Sequence, residues 1–107
     1  MQLITKEIRR AAPALYANQD KKPEDVPIVA KFFTPWTSWT WYMTEYDPAT
    51  ERAFGFVTSD MCPQGELGYF SITELRSITG PFGLTIERDL YYSPHTLAQV
   101  MEEARAR

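Results

Sequence analysis

Residues 38–46 read SWTWYMTEY, and this alternation constrains the fold more than any other stretch of the chain. Trp39, Trp41 and Met43 fall at every second position, with Ser38, Thr40, Tyr42, Thr44 and Tyr46 between and after them. Successive side chains of an extended strand point to opposite faces, so a period of two predicts a β-strand with one strongly apolar face. A large buried aromatic removes roughly 150–250 Å² from water, so a strand carrying Trp39 and Trp41 inward belongs at the centre of a core. The other face carries Tyr42 and Tyr46 among threonines. It reads either as an exposed polar-aromatic strip or as a second face that a helix covers. Trp36 lies in the turn before the strand, beside the same strip.

The neighbours of this segment extend it into a sheet. IVAKFF, residues 28–33, is β-branched and aromatic and predicts a strand that Thr34-Pro35 ends. DPATER, residues 47–52, is a turn led by Asp and Pro. AFGFVTS, residues 53–59, reads as the return strand, with Gly55 marking a bulge or a close backbone approach. The three strands form an antiparallel meander. LGYF, residues 67–70, and TIERDLYY, residues 85–92, add a fourth and a last strand.

Helices flank this sheet. Thr5 is an N-cap, and Ile8, Ala11, Ala12 and Leu15 make an apolar stripe that Pro13 interrupts, so the first helix stops near Ala11. Ser71-Ile72-Thr73-Glu74 has the form of a capping box, with Phe70 and Leu75 at the staple positions. The helix it opens runs to about Ile78, with Gly80 at a left-handed terminal site and Pro81 blocking continuation. Ser93-Pro94 caps a terminal helix with Leu97, Val100, Met101 and Ala104 on one face. The fold class is α+β: a small antiparallel meander sheet of three to five strands, packed by N- and C-terminal helices. Residues 1–107 form a single domain, with ANQDKKPEDVP, residues 17–27, as an exposed loop. The expected core is Ile8, Leu15, Val29, Phe32, Trp39, Trp41, Met43, Phe54, Phe56, Tyr69, Leu75, Ile78, Leu84, Leu97 and Val100.

The chemistry on offer is narrow. The chain has one histidine, His95, and one cysteine, Cys62, so neither an internal disulfide nor a Cys–His metal cluster can be assembled. Asp60 and Glu66 flank Cys62, the opposite of the electropositive setting that makes a thiol nucleophilic. No phosphate loop, dinucleotide fingerprint, nucleophile elbow or zinc-binding helix motif occurs. Glu87 and Asp89, and likewise Glu45 and Asp47, share a strand face at i, i+2, a spacing that can serve a divalent ion or acid–base work but is common on solvated strands. The expectation is no enzyme activity, no catalytic residue, no cofactor and no metal.

A formal net charge of −3 disfavours a dedicated duplex-binding protein, which carries a basic patch. The nucleic-acid alternative is weak single-strand binding through exposed aromatics with Arg9, Arg10 and Lys31. No window approaches the roughly 20 apolar residues of a membrane helix, and the N-terminus lacks a secretory pattern, so the expected location is cytoplasmic with no membrane partner.

The blocks LITKE, KFFTPWTSWTWYMTEYDP, FGFV, ELGYFSITEL and GPFGLTIERDLYY, in that order, span nearly the whole chain. In them the chain resembles a family of small, uncharacterised bacterial proteins known as a domain of unknown function, often encoded on plasmids and integrative mobile elements. That resemblance carries no catalytic residues. It implies an accessory protein of mobile DNA, acting in conjugation or against host defence. A non-catalytic protein–protein interaction module suits that setting, such as an inhibitor of a host defence or nucleic-acid-processing complex. Its binding residues are then Trp36, Tyr42 and Tyr46, because Tyr and Trp supply a large apolar face with a polar tip.

Overall fold

The computed structural model describes residues 1–106. One five-stranded antiparallel sheet organises it: β1 (Ala30–Phe33), β2 (Thr40–Asp47), β3 (Arg52–Thr58), β4 (Glu66–Ser71) and β5 (Glu87–Arg88), in spatial order β4-β3-β2-β1-β5. Three helices accompany it: α1 (Lys6–Ala11), α2 (Ile72–Ser77) and α3 (Leu97–Arg105). The architecture is the expected α+β meander. No helix among the described residues is long and apolar enough to cross a membrane.

The alternation of residues 38–46 does give β2, at the centre of the sheet, but every residue from Trp41 to Tyr46 is buried. Both faces are therefore covered. On one face Trp41, Met43 and Tyr46 join Ala30, Phe32 and Ala53 of the sheet, with Leu3, Ile72, Leu75 and Ile86 packed over them. Ile8 of α1 rests on this cluster. On the other face Tyr42 and Phe56 pack with Val26, Ile28 and the α3 residues Leu97, Val100 and Ala104.

A bulge decides which residues go where. Met43 pairs with Gly55 and Glu45 with Phe54, so Thr44 is the extra residue on β2. An inserted residue shifts every later side chain to the opposite face. Tyr46 thus joins the face of Trp41 and Met43, and Glu45 joins that of Tyr42. Gly55 is the partner this requires: a Cβ there would collide with the Tyr42 carbonyl.

Several boundaries differ from expectation. Thr5 does cap α1, its hydroxyl accepting from the Ile8 N–H at 3.2 Å. Ser71 likewise accepts from the Glu74 N–H at 3.2 Å. The cap of α3 is Thr96 rather than Ser93, because Thr96 and Gln99 make both reciprocal bonds of a capping box. Gly80 is not left-handed (φ −101°); α2 ends at Ser77 with Ile78 as its C-cap, and the small residue serves contact with the Trp36 ring instead. The last strand shrinks to Glu87–Arg88. Residues 17–27 are not wholly an exposed loop, since Val26 is buried and Pro23–Asp25 form a single 3-10 turn. Of the expected core, Trp39, Tyr69, Ile78 and Leu84 are exposed, and Trp39 stacks on Trp41 from outside at 5.7 Å.

Candidate functional site

The strip of Tyr42, Tyr46 and Trp36 does not exist as a surface. The bulge puts Tyr42 and Tyr46 on opposite faces, 5% and 4% exposed, and Trp36 is half-buried against the Met43 cluster. Burial of the Tyr46 ring, and its hydroxyl donating to Glu51 Oε2 at 3.1 Å, raise the phenol above its usual range.

The cations of the nucleic-acid alternative are dispersed. Arg9 and Arg10 are exposed in the last turn of α1. Lys31 belongs to the Tyr42 face, where its ammonium lies 5.7 Å from the Tyr42 ring centre and 5.4 Å from that of Tyr92. Asp89 pairs with it at 3.7 Å. Arg9 and Arg10 do not line the two clefts that Lys31 lines. Asp89 is thereby engaged by a lysine, and Glu87 sits on β5 against Phe33. Among the described residues no group of three His, Cys, Asp or Glu side chains is placed to hold a metal ion. Cys62 is a free thiol in the β3–β4 connection.

The structure instead builds a cleft that sequence reasoning missed. It has a volume of about 340 Å³, within the lower range of ligand-binding clefts (roughly 300–1,000 Å³). Its walls are Phe54 on β3, Leu67 and Tyr69 on β4, Leu97 on α3, and Tyr16 on the segment after α1. Its floor is Glu45, with Thr44 and Asn18 beside it.

Glu45 is 4% exposed, which is unusual for a carboxylate, and the reason is visible in its bonds. One oxygen accepts from the Tyr16 N–H at 2.8 Å and the other from the Asn18 N–H at 2.9 Å. Two backbone donors thus anchor the turn that follows α1, where Tyr16 takes a left-handed conformation (φ 71°). The Asn18 amide donates to the Thr44 carbonyl at 3.3 Å. That carbonyl belongs to the bulge residue, so the bulge supplies both the carboxylate and the acceptor that hold the segment. No cation lies within ion-pair distance of Glu45 among the described residues.

The aromatic wall is ordered by ring–ring contacts. Phe54 and Tyr69 meet edge to face at 4.9 Å, and Tyr69 and Tyr16 at 6.3 Å. Tyr16 is 63% exposed and Tyr69 42%. The Tyr69 phenol is raised above its usual range, chiefly by its hydroxyl contact with Tyr16. The guanidinium of Arg52 rests 4.3 Å from the Tyr69 ring centre.

The sequence did carry a signal for this site. Glu45 stands where strict alternation would face it into the Met43 cluster, and Gly55 opposite marks the bulge that turns it away.

Residues 3–107 match the model of a family described as protein of unknown function (DUF2958). No curated protein and no solved structure matches the chain.

Proposed function

The chain belongs to the DUF2958 family of proteins of unknown function, and we propose that it is a non-catalytic protein–protein interaction module whose binding surface is the cleft over Glu45. The observation that carries this reading is the pair of exposed tyrosines, Tyr16 and Tyr69, standing over a buried carboxylate at the mouth of an apolar-walled cleft. Exposed tyrosines beside a pocket are the features that dominate binding energy at protein interfaces. They are fixed here by ring contacts and backbone anchoring, so little side-chain freedom is lost on binding. The sequence resemblance supplies the setting we propose: the bacterial cytoplasm, in an accessory protein of a mobile element. Its partner there would be a host defence or nucleic-acid-processing complex.

A photo-crosslinking amino acid placed at Tyr16 tests the surface in bacterial cells. It should give one discrete protein adduct, absent when the same group replaces Ser77 on α2 and lost on adding Tyr69→Ala. Equal labelling from both positions, or no adduct from a folded Tyr16 variant, would remove the cleft as the partner surface.

A further inference from the structure

We propose that the cleft receives one arginine side chain of the partner protein, its guanidinium on Glu45 and Asn18 and its stem along Phe54 and Leu67. This rests on the cleft being the partner surface, and it specifies the chemistry that surface selects.

The hydrogen-bond inventory of the floor leads to a donor ligand. Four donors there are spent inward: the Tyr16 and Asn18 N–H groups on Glu45, one N–H of the Asn18 amide on the Thr44 carbonyl, and the Thr44 hydroxyl on the Phe54 carbonyl at 3.1 Å. Acceptors there are left unmatched. Asn18 Oδ1 is buried without a partner among the described residues. Each Glu45 oxygen has lone pairs beyond the one its N–H uses. A buried polar atom without a partner is costly, so a ligand that donates to both gains what the free protein lacks.

Charge selects among donors. Glu45 is buried with no cation at ion-pair distance among the described residues, and the chain as a whole carries −3. A carboxylate removed from water is stabilised by a cation that brings its own hydrogen bonds. Lys21 lines the rim but is exposed and makes no ion pair among the described residues.

Shape selects arginine over lysine. The guanidinium is a planar fork that can donate to Glu45 and Asn18 Oδ1 together and stack on aromatic rings, whereas ammonium is a compact point donor. The Tyr69 ring already accepts a guanidinium from Arg52, which does not line the cleft.

Nuclear magnetic resonance titration of the isotopically labelled full chain reads this directly. The probes are four: a capped Gly-Arg-Gly peptide, its lysine and citrulline counterparts, and free agmatine. The arginine peptide should shift the amides of Tyr16, Asn18, Glu45, Phe54 and Tyr69 saturably, and the neutral citrulline peptide should bind about tenfold or more weaker, a difference of ~1.4 kcal/mol or more. Tyr69→Leu should weaken the arginine peptide with the melting temperature unchanged. Glu45→Gln should abolish the preference over citrulline, and it serves as the second variant only if its spectrum stays folded. Equal binding of arginine and citrulline, or of arginine and lysine, overturns the assignment. Agmatine binding as tightly as the capped peptide moves the site to free small amines and overturns it as well. Cross-linking from position 16 without arginine binding keeps the partner surface and sinks the arginine. Arginine binding without any cross-linked protein keeps the cation site and sinks the interaction module.

Discussion

At the scale of single residues, burial and bonding separate acids that look alike in sequence. Glu45 is buried and holds backbone, whereas Glu51 is half-exposed and holds side chains. Arg76 donates to both Glu51 oxygens at 2.9 Å, and Thr73 and Tyr46 add their hydroxyls. The Arg76 bond first, then that of Thr73, lower the Glu51 carboxyl from 4.5 to about 2. A carboxyl depressed in the folded state stabilises it above the unfolded value and loses that contribution as pH falls through the folded one. The wild type should therefore exceed Glu51→Gln in urea midpoint at neutral pH, with the gap closing between pH 4.5 and about 2. Partial exposure keeps the gap modest. A gap that stays constant over that range would show that the ionised carboxylate contributes nothing.

At the scale of elements, caps make the sharpest predictions. Thr96→Ala should cost about 0.5–2 kcal/mol by removing one half of the α3 capping box, whereas Ser93→Ala should be near neutral. Chemical denaturation of the two variants checks this, and the reverse order would return the cap to Ser93-Pro94. The sequence allowed either choice, since Thr96 and Gln99 have the right spacing too. The Ser-Pro pair was simply the more conspicuous start signal. The same contrast runs through the sheet. The meander was legible because period two survives in β2 and β3 whatever covers them. What covers them was not, because tyrosine suits a wet face and a buried one equally, and Tyr42 and Tyr46 gave no sign that α3 and α2 would lie over them. Tyr69 and Trp39 erred the other way: aromatic at strand spacing, yet beyond the reach of the helices and left at the rim. The candidate site was least legible, since it joins the segment after α1 to β2 across 27 and 29 positions of chain through contacts that no local pattern records.

At the scale of the whole molecule, one sheet divides two apolar clusters, and Met43 and Phe56 stand for them, one on each face. Neither cluster encloses itself; each needs the shared strands as its floor. Met43→Ala should cost about 2–5 kcal/mol and Phe56→Ala about 3–5 kcal/mol. Each should lower one common unfolding transition, with far- and near-ultraviolet circular dichroism falling together. Two separated transitions in either variant would mean that the faces unfold independently. A shared sheet also couples the site to the core: Glu45 occupies the same strand as Met43, and Phe54 the same strand as Phe56.

Thr44 gives β2 a change of parity. Before it, odd positions face the Met43 cluster; after it, even positions do. Pairing that one residue regularly would leave the composition of the strand untouched and yet exchange Glu45 with Tyr46. A carboxylate would enter the apolar cluster under α2, and the turn after α1 would lose its anchor. Substitutions on β2 act one side chain at a time. A lost bulge acts as a shifted frame in a message, altering the sense of everything downstream while each letter stays correct.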